Sequence, residues 1–490
     1  MTAGRGGLAE LEARVAKDLD IIAYPDTRWV PERLGPDGAP ALDVLVIGGG
    51  QGGLAIAHAL KRARVHRIRI VDRAPEGREG PWLTYARMAT LRSPKDVNGP
   101  DLDVPSLAFR SWFSAQHGES AWHVLNKIPK EDWAAYLLWL RRVLTIRIEN
   151  GVACESVRPQ ADGDLIEATL RDQSSGTLET VFARKVVVAT GIEGAGRWWT
   201  PPMVEALDKS VWAHASEPID FTALKGKRVA VLGAGASAFD NAATALEHGA
   251  RVSVFCRRAD MQRIQPFRWL SFPGFLGHFA DLDDSWRWRF MNYLLTLREA
   301  FPRETWERVA RHDTFRLETD ASWERCEIVD GVVHLHTPQG RFEADYLIMG
   351  TGFDMDLSLR PELAAIAPHA ALWSDRFTPP EEERNARLAR YPYLDPQFAF
   401  TERVAGEAPW LRHVRLFTFG ATVSFGPSGS SINAMKFAVP RLVSGIVRDL
   451  FSEDIASHWD SLQGYQLPEF LYPGEEGEIS PTTPVISKVG

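Results

Sequence analysis

Two stretches of this 490-residue chain have residue types and spacing that could hold a nucleotide: Gly48-x-Gly50-x-x-Gly53 and Gly233-x-Gly235-x-x-Ala238. The first glycine of such a turn makes the tight bend, the second lets backbone approach a pyrophosphate, and the third lets helix pack closely on strand, a task alanine also performs. A short apolar strand precedes each turn and a helix-forming run follows. The unpaired N–H groups and positive dipole end of each helix would therefore face phosphate. A second strand closes each unit: "RIRIVD" leads to Asp72 and Arg73, and "RVSVFC" leads to Arg257 and Arg258. Asp72 and Arg257 stand at the same offset from their first glycines. A carboxylate there accepts from ribose hydroxyls and repels a 2′-phosphate, whereas a guanidinium binds that phosphate through charge-assisted hydrogen bonds. The first turn fits a dinucleotide with a free ribose, such as FAD. The second, with Ser237, Arg257 and Arg258, fits NADPH.

The elements around these turns must position them. "ARKVVVATG" and "ADYLIMGTGF" each predict a buried strand ending in a Thr-Gly turn, Thr190-Gly191 and Thr351-Gly352, and they bracket the second nucleotide turn. Such a bracket is what an inserted lobe leaves. The expected fold class is α/β, with two Rossmann-like dinucleotide-binding domains and the NADPH domain inserted into the FAD domain. The expected units are an N-terminal helical extension (1–41), the first part of the FAD domain (42–195), the NADPH domain (196–340), the second part of the FAD domain (341–472) and a solvated tail (473–490). A Trp-rich helical insertion at about 267–309 is expected to border the substrate. Leu8, Leu11, Val15 and Leu19 give the N-terminal segment helical periodicity. The run from Ser428, which includes Ser431, opens a long helix at small N-capping residues, and its dipole would face the flavin pyrimidine edge.

Composition narrows the function classes. With 45% hydrophobic and 24% charged residues the chain reads as globular, and a net charge of −8 offers no basic field for nucleic acid or acidic lipid. No apolar run is long enough to span a bilayer, so no membrane partner and a cytoplasmic location are expected. Cys154, Cys256 and Cys326 have neither CxxC nor Cys/His zinc spacing, so no metal is expected.

These residues resemble the single-component monooxygenases that use FAD and NADPH: flavin-containing monooxygenases, Baeyer–Villiger monooxygenases and amino-acid N-hydroxylases. The resemblance covers roughly residues 43–450. Gly80-Pro81-Trp82 is similar to the family's G-x-W segment beside the flavin, and "ATLRSPKD" falls where the family sets residues against the flavin ring. "IPKEDWAAYLLWL" is similar to a helix entry of the N-hydroxylases, and Asp345-x4-Gly350-Thr351-Gly352-Phe353 follows their D-x4-ATGY pattern. The resemblance implies an FAD-dependent, NADPH-driven insertion of one atom of O2 into a small organic substrate through a C4a-hydroperoxyflavin, chiefly as N- or S-oxygenation. Arg92, Lys95, Asn98 and His214 are the catalytic candidates it implies. His214 alone keeps the Baeyer–Villiger fingerprint, in "DKSVWAHASEP", so lactone formation stands as the alternative. An FAD/NADPH electron-transfer reductase is the alternative of another class, although a disulfide version would need a cysteine pair. A non-catalytic flavin protein ranks below both. Self-association into a homo-oligomer is left open.

Overall fold

The computed structural model describes residues 3–25, 28–96, 99–160, 163–297, 300–429, 431–475 and 477. Asn98 and, within the expected tail, residues 476 and 478–490 lie outside the described residues.

The helix Ala3–Ile21 turns Leu11 and Val15 inward against the first unit. In that unit β1 (Leu42–Ile47), the helix Gln51–Arg62 and β2 (Ile68–Asp72) form the expected strand–turn–helix–strand. After the helix Lys130–Val143 come β3 (Glu149–Asn150), β4 (Val152–Pro159), β5 (Ile166–Asp172) and the long β6 (Leu178–Gly191). The first half of β6 closes an antiparallel meander with β5 and β4. Its second half pairs parallel to β1, and its other edge takes the late strand β17 (Val414–Thr418). That second half is buried on both faces, which explains its near-continuous apolar run.

The chain leaves through β7 (Gly196–Trp198) and enters a second sheet. Its strands are β8 (Trp212–His214), β9 (Arg228–Leu232), β10 (Arg251–Phe255), β11 (Phe315–Glu318) and β15 (Tyr346–Met349), with a separate antiparallel meander of β12 (Arg325–Val329), β13 (Val332–Thr337) and β14 (Gly340–Ala344) between β11 and β15 in the chain. All five strands of the order β11-β10-β9-β15-β8 run parallel. The chain returns through β16 (Phe353–Met355), which pairs antiparallel with β7. A two-stranded ribbon thus joins the two units. β14 and β15 belong to the second unit, so the return to the first lies beyond Met349 and not at the expected 341. The correction has a physical reason: β15 is hydrogen-bonded to β9 and clamped to it by Asp345, which accepts from the Arg228 backbone N–H at 2.7 Å and from its guanidinium at 2.6 Å.

Between β10 and β11 the chain forms the short helices Pro266–Trp269 and Pro273–His278 and the longer helices Asp284–Leu297 and Arg303–Ala310. The helix Met435–Glu453 then packs on Gln51–Arg62. Among the described residues no helix is long and apolar enough to cross a membrane.

Candidate functional site

Gly48 has φ +109, and a Cβ there would lie 2.4 Å from the Ala189 carbonyl oxygen. The same geometry recurs at Gly233, with φ +130 and a Cβ that would lie 2.3 Å from the Gly350 carbonyl oxygen. Each turn therefore nests against the strand end that carries its own Thr-Gly. A Cβ at Gly53 would meet the Gly48 carbonyl oxygen at 1.9 Å, so helix and strand have closed to backbone contact. In the second unit a Cβ on Gly350 would meet the Ala238 methyl at 2.5 Å. The motif's shift from Ala-Thr-Gly to Gly-Thr-Gly at 350 is thus answered by the alanine at 238.

Gly50 and Gly235 differ from these packing glycines. A Cβ at either would meet nothing within 4 Å. Each is the N-cap of its helix with extended backbone and no side-chain cap, so the first-turn N–H groups have no protein acceptor from the cap. An uncapped helix start beside an open glycine is what a phosphate group fills. The space before Gly50 is a cleft lined in part by Gly49, Trp82, Leu138, Arg141 and Ile148. Asp72 accepts the Gly49 N–H at 2.7 Å and the Ala74 N–H at 2.7 Å, which fixes the carboxylate across the turn with lone pairs to spare for ribose hydroxyls. Trp82 sits edge-on to Trp133 at 6.3 Å, and Gly80, with φ +76, makes the bend before it. The Thr190 hydroxyl is buried without a partner. Gly191 has φ +83 and Gly352 φ +79, each with open space beside it. These residues fit FAD.

At the end of β10, Arg257 is exposed, and no hydrogen bond or ion pair engages it among the described residues. Arg258 is committed elsewhere: its guanidinium donates to the Thr296 carbonyl at 2.9 Å and the Leu297 carbonyl at 3.2 Å, capping the helix Asp284–Leu297. Ser237 lies exposed in the first turn beyond Gly235. Arg257, Ser237 and the open Gly235 therefore fit a 2′-phosphorylated dinucleotide, and Arg258 ties that site to the Trp-rich helices. Arg73 pairs with Glu193 across the mouth of the first turn.

The structure gives the catalytic candidates other partners. Arg92 bridges the units by an ion pair of 3.4 Å to Asp240 on the helix Ala236–Glu247. Lys95 donates to the Trp122 carbonyl at 2.7 Å and lies 4.7 Å from the Trp122 ring centroid. His214 lies 3.2 Å from the Gly352 carbonyl through Nε2 and 2.7 Å from the Ser216 hydroxyl through Nδ1. A carbonyl only accepts, so Nε2 carries the proton and Nδ1 accepts from Ser216. Burial pushes this imidazole down to about 4, and it is neutral at neutral pH. Arg92, Lys95 and His214 thus each have a structural partner. Thr351 likewise donates to the Trp199 carbonyl, and Ser431 to the Asn433 side chain.

Sequence reasoning missed Asp240. It is buried, takes a hydrogen bond of 2.9 Å from Thr305, and faces Arg92 across the units. Burial raises its carboxyl pKa, and Arg92 opposes that rise. Its signal was an acid in the apolar run "SAFDNAATAL". The joining ribbon was missed as well. Trp198 on β7 packs on Phe353 of β16 at 6.1 Å, on His214 at 5.2 Å and on Tyr85 at 5.7 Å, an aromatic wall between the units.

Against known proteins, the chain is 39% identical over 466 residues to an FAD-dependent urate hydroxylase from Xanthomonas campestris pv. campestris, covering 95% of this chain and 97% of that protein. The chain belongs to that hydroxylase's family. It is a flavin-dependent monooxygenase, as the residue resemblance implies. A family model described as pyridine nucleotide-disulphide oxidoreductase matches residues 45–272. All three cysteines are unpaired. Among solved structures, the ornithine N-hydroxylase of Kutzneria sp. 744 superposes with a TM-score of 0.65 at 17% identity, covering 84% of this chain and 100% of that one. The L-lysine 6-monooxygenase of Pseudomonas syringae gives 0.63 at 18% identity, with 83% and 99% covered. At that identity the likeness establishes the fold, two Rossmann-like units with one inserted in the other.

Proposed function

We propose that this monooxygenase draws its electrons from NADPH and hydroxylates a planar oxopurine of the urate type. The observation that carries the reading is the pair of open glycine cradles, one answered by Asp72 and the other by Arg257, on a chain related along nearly its whole length to a urate hydroxylase. When bound, FAD supplies the activation of dioxygen and the transfer of one oxygen atom, with the second leaving as water at the expense of two electrons from NADPH. The chain's own residues bind and shield. Arg257 holds the 2′-phosphate, the helix starts at Gly50 and Gly235 hold pyrophosphates, and Asp72 orients a ribose. The wall of Tyr85, Trp198 and Phe353, continued by Phe419 at 4.9 Å from Phe353, keeps water from the seam between the units.

A second reading, N-oxygenation of a small amine, is supported by the shared fold of the ornithine and lysine hydroxylases. The two separate in one experiment. Purified protein with FAD and NADPH is offered urate or ornithine under isotopically labelled dioxygen, and products are weighed by mass spectrometry. A labelled oxopurine product supports the first reading, and a labelled hydroxylamine the second. NADPH loss without any labelled product, together with rapid reduction of an artificial acceptor, overturns both in favour of a reductase. The reading includes a cytoplasmic site of action, and sedimentation of the purified protein decides whether it is a homo-oligomer.

A further inference from the structure

Four tryptophans of the Trp-rich insertion divide by environment. Trp288 is buried against Trp373 and Phe377, whereas Trp306, 41% exposed, stacks on Phe301 and packs on Phe239 within the second unit. Trp269 is the least covered of the four at 64% exposed, with Phe272, 42% exposed, beside it, and Trp286 is 46% exposed. Trp269 meets Phe272 edge-on at 5.5 Å and lies nearly parallel to Phe290 at 6.4 Å, with Phe290 in turn packed on Trp286 at 6.0 Å. These contacts hold the Trp269 ring while leaving much of it uncovered. A contiguous exposed aromatic surface marks a contact site.

Its place in the fold ties it to the cofactor end of the molecule. A Cβ at Gly429 would lie 2.1 Å from the Thr418 carbonyl oxygen, so the turn before the helix Met435–Glu453 sits on the carboxyl end of β17. Ligands of parallel sheets bind at that end. A Cβ at Gly426 of the same turn would lie 3.5 Å from the Phe275 and Phe279 rings, and one at Gly277 would lie 3.3 Å from the Phe437 ring, which seats the Trp-rich lobe there. Ser271, two residues after Trp269, accepts from the Asn433 amide at 3.1 Å, and Asn433 accepts from Ser431. Beside the aromatic surface there is thus a row of hydroxyl, amide and hydroxyl. The amide keeps one N–H and one lone pair beyond these bonds. Arg263 and Arg268 are exposed on the same stretch and give it positive charge.

We infer that Trp269 is the stacking wall of the substrate subsite and that Asn433 reads the rim of a planar, anionic oxopurine lying against it. The inference rests on the oxopurine reading given above. An indole covers one face of a flat heterocycle, and an amide satisfies its alternating N–H and C=O groups. An aliphatic amine would use neither.

The test uses wild type, Trp269→Phe and Trp269→Ala, each loaded with FAD. Urate binding is measured by equilibrium dialysis without NADPH, and urate- and ornithine-dependent NADPH consumption is measured separately. Trp269→Ala is expected to weaken urate binding about tenfold or more, the scale of one aromatic stack, and Trp269→Phe by less. FAD content and flavin reduction by NADPH without substrate stay at the wild-type level. If wild type binds urate and Trp269→Ala binds it equally well, the wall is overturned while the oxopurine reading stands, whatever happens to the oligomeric state. If wild type ignores urate, whether or not it answers to ornithine, the oxopurine reading fails and the wall fails with it.

Discussion

Gly50 and Gly53 stand three positions apart in one turn, yet they are held for opposite reasons. A side chain at Gly53 would collide with the Gly48 carbonyl, so Gly53→Val prevents folding, whereas one at Gly50 would enter open space. Gly50→Val is therefore expected to give soluble, folded protein that is colourless and takes up no FAD, read by circular dichroism and flavin absorbance together. A yellow Gly50→Val protein would remove the first turn from its role. Arg257 is argued in the same way. Because no partner among the described residues holds it, Arg257→Ala costs the fold little and is expected to weaken NADPH by about 1.5–3 kcal/mol, the scale of a hydrogen bond to a charged group. NADH, lacking the 2′-phosphate, is expected to be used almost equally by both forms. Equal losses for the two coenzymes would place the phosphate elsewhere.

At the scale of elements, the packing of helix on strand is set by one methyl group whose host has moved. Gly350→Ala places a second methyl against Ala238 and is expected to destabilise by about 1–3 kcal/mol, the range for overpacking. Ala238→Gly alone costs about 1 kcal/mol as a glycine within a helix. The double variant is expected to recover most of the Gly350→Ala loss, so a thermal-unfolding cycle yields a coupling between the two sites. Additive losses would mean that the contact does not limit the packing. Arg92 and Asp240 belong to this scale too, since they join elements of different units. Arg92→Met should lower the unfolding midpoint while leaving flavin content intact, because Arg92 compensates a buried carboxylate that Arg308 reaches only at 3.6 Å.

For the whole molecule, buried histidines set the response to acid. Burial pushes His214 down to about 4, and His58 and His413 each to about 3. Each is neutral in the folded chain, while the unfolded chain begins to protonate them near 6.5. The unfolded state then binds more protons, so stability falls as pH drops from about 6.5 toward 4, with His214 alone accounting for roughly 3 kcal/mol of the loss. Urea unfolding at pH 7 and pH 5 checks the sign, and His214→Gln is expected to flatten the slope. An unchanged slope in that variant would mean that His214 is not buried neutral in solution.

Much of the fold was legible because it is written in local geometry. Strand, glycine turn and helix follow from neighbouring residues, and the Asp72 and Arg257 registers follow from chain spacing within one unit. The long β6 was legible because a strand buried on both faces must be apolar throughout. What neighbouring residues do not encode is which long-range partner claims a charged or polar side chain. Arg258 read as a second phosphate ligand beside Arg257 until the helix Asp284–Leu297 delivered its last carbonyls to it. Arg92, Lys95 and His214 acquired their partners from Asp240, Trp122 and Gly352, elements brought together only by packing. The sequence by itself determined that two nucleotide turns exist and which one carries the cation. Tertiary structure alone decided which polar groups are spent on holding the fold together and which are left for a ligand, because pairing energy depends on distance in space and not along the chain.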